Sequence, residues 1–395
     1  MPTRLSRYIL GDILRIFAVS LVSLTALILL IGVGRELVRQ GLGPLAVVQL
    51  LPFVLPISLQ FAFPATALFA VCSVYGRMSA DGEVGMVKAS GISPLRLLKP
   101  ALLFALVLSP IAVVVSDLAV SWGAPGINRV VLTSIEDIAY RVLRSRHSYT
   151  SDHGFSIHVR DVVGKTLVHP TVTIQGGGGR VKLTAREGEL TLDENREMLV
   201  LRVLDSQIEG GALFQSVIPG VNEFPIPIGD INDKNVADRR PSELPLTLIA
   251  GERARVREQV RGGVGRIAAA RTAALLTSRI EDADGGDEER YRHRLKHDRK
   301  RELRLGIEPW RRWAWGFSCL GFVVVGAPLA MLRRTGDAWT TFGICFLPTL
   351  LVYYPLFILG LEQAKDAVFP PGGVWLGNGV MAVAGLALVH RVWRY

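Results

Sequence analysis

The chain has 395 residues, 49% hydrophobic and 20% charged, with a formal net charge of +10 and three cysteines, all inside apolar runs. That cysteine placement excludes a disulfide framework or a cysteine-rich zinc site in the polar part of the chain. The hydrophobicity is too segregated for one soluble core, and much of the positive charge lies beside apolar runs or in one helical stretch, which favours membrane topology and a solvated helix over nucleic-acid binding.

The first apolar run, residues 16–33, follows Arg4, Arg7 and Arg15. It exceeds a signal-peptide core, and Arg35 follows it without a small-residue cleavage pattern, so it reads as a retained membrane span. Runs 50–75 and 97–120 come next, and 313–331, 341–361 and 374–389 close the chain. Each is close to the roughly 20 apolar residues that let a helix cross the hydrocarbon with its backbone hydrogen bonds satisfied internally. Six spans are therefore expected, three on each side of a polar middle. Pro52, Pro56, Pro64, Pro110, Pro328, Pro348 and Pro355 fall in these runs and are expected to interrupt or end helices, as packing kinks or moving hinges.

Residues 76–94, between spans two and three, carry a short helical pattern. Val84, Val87 and Met86 form a small apolar face, and Asp81 and Glu83 lie near the start, where the helix dipole favours acids. Gly91 is suited to ending the helix, with Pro94 shortly beyond. Such a helix could dock on a soluble partner or lie at the membrane interface, and spacing alone does not choose between them.

After residue 120 the pattern turns to β. Short β-prone segments at 155–160, 168–174, 181–185, 190–192, 198–204 and 213–218 are punctuated by glycine clusters, including Gly188, which predicts an antiparallel sandwich, barrel or jelly roll. No crossover helices separate them, against a parallel α/β fold. Gly164-Lys165-Thr166 looks like the end of a phosphate loop, but Val159 stands where that loop needs glycine and the context is a strand turn. From 242 the text is helical: 246–276 is rich in Ala, Arg and Leu, 282–289 is an acidic break, and 291–305 is a second basic helix before Pro309 and the fourth span. His293 and His297 are spaced as in a zinc-protease helix, but Arg294 occupies the glutamate position, so two solvated histidines are expected. With no nucleophile–base pair in view, neither catalysis nor a cofactor is expected.

Short-loop charge sets the orientation. Arg77, Lys88, Arg96, Lys99, Arg333, Arg334, Arg391 and Arg394 share one side with Arg4, Arg7 and Arg15, while the other side's short loops hold Arg35, Arg39 and Lys365 among Glu36, Glu362 and Asp366. The positive-inside rule then puts both termini in the cytoplasm and the polar middle outside; the arginine-rich stretch 249–312 opposes this, but long translocated segments largely escape the rule.

Several features together resemble the lipopolysaccharide-export permease family LptF/LptG, also called YjgP/YjgQ. They are Arg7-Tyr8 before span one, the loop from Glu83 to Ala89-Ser90-Gly91-Ile92-Ser93, Gly326-Ala327-Pro328-Leu329, Tyr353-Tyr354, and Pro370-Pro371 with Trp375 and Asn378. Gly377 departs from the proline the family often carries before that asparagine, and the connector up to Glu308 is longer than usual. The resemblance implies a polytopic α-helical inner-membrane protein with six transmembrane helices, 3 + 3, and an inserted periplasmic β-jelly-roll domain. Expected boundaries are 1–122 for spans one to three with a coupling helix near 79–93, 123–245 for the jelly-roll-like domain, 246–309 for a basic helical connector and 310–395 for spans four to six.

It also implies a permease subunit of an ATP-driven exporter of lipopolysaccharide or a related glycolipid. Expected partners are a cytoplasmic ATPase dimer, a second homologous permease half and periplasmic lipid-bridge proteins. Glu83, Val84 and Val87 become candidates for ATPase coupling. Arg35 and Arg39, four apart just outside span one, become candidates for binding lipid phosphates beside a lateral gate of spans one and five, with simple interfacial anchoring as the other reading. Two rival classes stay open: a membrane-anchored sensor or scaffold, and a permease of the lipoprotein-release type, which usually has four spans.

Overall fold

The computed structural model describes residues 3–40, 44–133, 139–140, 142–144, 147–150, 155–176, 179–193, 198–210, 214–226, 239–276, 286–332 and 338–394. The chain divides into two compact units, one of Met1–Ile28, Leu55–Gly123 and Val236–Tyr395, the other of Leu29–Val54 and Ala124–Asn235.

The first unit is helical. It holds most of α1 (Thr3–Gln40) and α2 (Pro44–Ala80), the short α3 (Glu83–Ala89) and α4 (Pro94–Leu118), which ends in a π-helical turn, Ala119–Gly123. After the polar middle come α6 (Leu246–Leu276), α7 (Gly286–Gly316), α8 (Ser318–Leu332), α9 (Ala338–Lys365) and α10 (Leu376–Arg394), while α5 (Ala124–Thr133) belongs to the second unit. Among the described residues, six helical stretches are long and apolar enough to cross a membrane: Arg4–Gly32, Val48–Ala80, Pro94–Ile127, Arg292–Leu332, Trp339–Lys365 and Pro371–Arg394.

Their inward faces share one core that includes Ile13, Phe17, Leu68, Tyr75, Leu97, Phe322 and Tyr353. Glycines let the helices approach closely. A Cβ on Gly316 would lie 2.3 Å from Val113, one on Gly326 2.2 Å from Leu68, and one on Gly385 2.2 Å from Val324. Small residues at crossings are how helices gain packing energy where lipid supplies no hydrophobic drive.

Proline behaves differently from the sequence expectation. Pro309 does not separate the basic helix from the fourth span; α7 runs straight through it. The Pro52, Pro56 and Pro64 positions likewise lie inside one continuous α2. A proline costs a helix one N–H donor and some strain, and packed neighbours in a bundle can hold the backbone helical despite that.

The second unit contains an eight-stranded antiparallel sheet: β1 (Ser148–Thr150), β2 (Phe155–His158), β3 (Asp161–Val163), β4 (Thr166–Val168), β5 (Thr171–Gly176), β6 (Gly179–Asp193), β7 (Met198–Gly210) and β8 (Phe214–Ile226). The order is β1-β2-β5-β6-β4-β3, with β7 on the other edge of β6 and β8 on β7. Leu167, Val172, Leu183, Leu190, Leu201 and Val203 form its core with Tyr140 and Leu143.

The segments 181–185 and 190–192, read as two strands, are one strand, β6. Leu183 and Ala185 are buried, Arg186 and Glu187 are both exposed, and burial resumes at Gly188 and Leu190. The alternation thus changes phase in mid-strand. The pairing with β7 keeps its register across Arg186, from Ala185↔Ser206 to Glu187↔Leu204, but there Asp205 takes a φ of 51° and the register of β7 with β8 shifts. That shift is a β-bulge between β7 and β8, which bends a long strand without ending it. Gly188 is not a turn residue but a point of close approach, where a Cβ would lie 3.0 Å from Pro170 and 3.3 Å from the Arg202 carbonyl. Gly164, by contrast, has φ 63° and turns β3 into β4, so Gly164-Lys165-Thr166 is a hairpin.

Candidate coupling and transport sites

Helix α3 is fastened to the bundle along one face. Gly82 precedes it with φ 75°, and Gly91, also at φ 75°, closes it with its N–H on the Lys88 carbonyl while the Ile92 N–H reaches Val87. Val84 is 7% exposed and Val87 packs partly against the helical core. Lys88 Nζ donates to the Val392 carbonyl at 3.2 Å, in the last turn of α10, where a cation meets the negative end of a helix dipole. Just before α3, Ser79 Oγ donates to the Met331 carbonyl at 2.9 Å.

Of the three residues assigned to coupling, the structure thus gives the two valines to the protein's own bundle. What α3 offers outward is Met86, 61% exposed, beside a half-buried Glu83. No hydrogen bond or ion pair among the described residues engages the Glu83 carboxylate.

Between α1, α2 and α9 lies a cavity of about 580 Å³, lined by Ile16, Val19, Leu24 and Leu27 of α1, Thr66 and Phe69 of α2, and Trp339 and Phe342 of α9, with Arg15 the charged residue on its wall. Phe69 is the hub of an aromatic cluster, 5.2 Å from Trp339 and 5.3 Å from Phe342 between ring centres. Such a lining accepts hydrocarbon and little else. Arg35 and Arg39 both fall within α1, so their positions share a helix face, but their side chains lie outside the described residues.

Sequence reading missed a third feature. Arg312 of α7 is 2% exposed and donates to Asp117 of α4 at 2.5 Å, with Glu308 3.9 Å away. It also donates to the carbonyls of Leu244 and Ser242, while Asp117 accepts the Leu246 N–H at 2.9 Å. One guanidinium therefore joins the end of α4, the segment leading into α6, and α7. The π-helical turn begins two residues after Asp117, and such turns recur where a helix is adapted to a task. The signal was present in the sequence: Asp117 is the single acid in the apolar run 97–120, and an ionisable residue in a span is expensive unless paired.

Six apolar helices around a shared core, an apolar intramembrane cavity and a short loop helix clamped to the bundle define a multi-pass membrane transport protein with a β domain between its third and fourth spans. The family described as Lipopolysaccharide export system permease LptF/LptG matches residues 7–391, and the chain belongs to it. It is an inner-membrane lipopolysaccharide-export permease, a transport subunit and not itself an enzyme. No curated protein matches the sequence.

Proposed function

We propose that this chain is one permease half of an ATP-driven exporter that takes lipopolysaccharide, or a related glycolipid, from the inner membrane toward a periplasmic bridge. A second homologous half completes the pathway, and a cytoplasmic ATPase dimer drives it. The observation that carries this reading is the attachment of α3. Its valines and Lys88 bind it to α10 and the core, while Met86 and Glu83 stay available. A helix held this firmly passes a push at its outer face to the bundle instead of absorbing it.

In this reading both termini are cytoplasmic, the β domain is a periplasmic jelly roll that shelters acyl chains, and the bulge between β7 and β8 helps its sheet curl. The α1–α2–α9 cavity takes hydrocarbon, and Arg35 and Arg39 take phosphate oxygens through paired guanidinium hydrogen bonds. The test is Glu83→Ala with the ATPase co-expressed. The variant should insert and fold normally yet hold the ATPase more weakly, by roughly 2–5 kcal/mol if the carboxylate meets a buried partner cation. Unchanged co-purification together with unchanged ATP-dependent lipid release would reject the coupling role.

A further inference from the structure

Helices α6 and α7 pack as a hairpin over a small core of Leu244, Ile249, Val256 and Leu305. Its inner acids are taken. Glu252 pairs with Arg301 at 3.1 Å, Glu302 with Arg257 at 2.9 Å, and Glu308 with Arg311 at 2.8 Å. The exposed cations of α7 are different. Arg294, Lys296, Arg299, Lys300 and Arg304 are exposed, and none forms an ion pair with a carboxylate among the described residues. Lys296, Lys300 and Arg304 are spaced four apart on one helix, where like charges repel. A surface built this way is destabilised by its own field until an anion covers it.

Where the hairpin crosses at Gly263, a notch of about 220 Å³ is lined by Gln259 and Arg266 of α6 and by Arg294, Leu295 and Asp298 of α7. Arg266 gives one N–H to the Gly262 carbonyl at 3.4 Å, which leaves most of its donors to the notch. Two guanidinium groups and an amide around a small polar space suit an oxyanion such as a phosphate. Asp298 on the same wall opposes an anion, so the two arginines must outweigh it.

Height identifies the kind of anion. Helix α7 is continuous from Gly286 to Gly316 and carries exposed Trp310 and Trp313, a residue type that marks the membrane–water boundary. At 1.5 Å per residue, Arg304 stands about 9 Å and Arg294 about 24 Å beyond Trp310 along the axis. The headgroup layer of a phospholipid bilayer is only about 5–8 Å deep on each side. These cations therefore rise above phospholipid phosphates and stand level with the sugars of a large glycolipid. A second copy of the hairpin, equally basic, would be repelled.

We infer that the outer face of the α6–α7 hairpin is a binding surface for the phosphorylated saccharide head of the glycolipid, with the Arg266–Arg294 notch seating a phosphate. The inference rests on the proposed transport reading and on the hairpin lying outside the membrane. The probes are a diphosphorylated rough lipopolysaccharide, its dephosphorylated form and phosphatidylglycerol, each titrated against the full-length protein in nanodiscs. One variant carries Arg294→Gln, Lys296→Gln, Arg299→Gln, Lys300→Gln and Arg304→Gln. A second exchanges Arg and Lys at the same five positions and keeps the charge.

The Gln variant should bind the phosphorylated glycolipid about tenfold more weakly, a gap that narrows as salt screens it. Its binding of the dephosphorylated glycolipid and of phosphatidylglycerol should be unchanged, and the charge-preserving variant should retain most of the affinity. Equal loss on phosphatidylglycerol would make the surface a leaflet anchor and overturn the inference. Wild-type affinity in the Gln variant would overturn it while leaving the transport reading intact. Failure of the wild-type protein to bind either glycolipid would remove both.

Discussion

In the helical unit the deepest charged group, Arg312, is held by Asp117 and two backbone carbonyls, with Glu308 close by. In the β unit a comparable anchor is neutral. The Tyr140 hydroxyl donates to the Lys165 carbonyl at 2.7 Å and accepts from the Leu190 N–H at 2.8 Å, tying the segment before the sheet to β6. Both anchors join segments distant in sequence, but they should fail differently. A phenol lost from its site leaves one donor and one carbonyl short of partners. A guanidinium lost from the interior also takes the cation from Asp117, which is 24% exposed, and a partly desolvated charge without its partner is costlier than an unpaired amide.

The sharpest way to break this contrast is Arg312→Ala. It should lower stability by roughly 3–5 kcal/mol, read from denaturant unfolding in mild detergent. Replacing both partners, Arg312→Met with Asp117→Leu, should cost less than the single change because no charge is left behind. If the double variant is as unstable as the single one, charge pairing is not what holds the junction. Tyr140→Phe comes next, with an expected loss of about 1–3 kcal/mol for the orphaned Leu190 N–H, measured on the unfolding of the β unit. Smallest of all is Arg202→Ala. Its cross-strand pair with Glu223 is short, at 2.7 Å, but both groups are more than half exposed, so the melting temperature should not move measurably. A clear drop there would mean that exposed pairs stiffen this sheet.

The spans were legible because length and hydropathy are all a membrane crossing demands. Which face packs inward was not, since lipid and protein interior select the same residues: Ile13 is fully buried and Val22 is 70% exposed, yet both read simply as apolar. The same ambiguity holds for Val84 and Val87, whose apolar face turns to the protein's own core. In the sheet, alternation located most of the strand segments but not the continuity of β6, because the burial phase inverts at Arg186 and Glu187 and mimics a break. At Pro309 local propensity predicts a boundary, and packing overrides it. The Arg312 junction was the least visible, since its partners are 195 positions apart for Asp117 and 68 for the Leu244 carbonyl. Only the oddity of Asp117 in its run pointed there.

The unbroken passage of α7 through Pro309 has a mechanical consequence. Its 31 residues make a rod of about 46 Å, gripped near one end by Arg312. With the pivot there, the arm out to Gly286 is about 39 Å, so a tilt of about 10° at the gripped end sweeps the far tip by about 7 Å. A small tilt of the fourth span would thereby be magnified into a displacement the width of a sugar ring at the far tip.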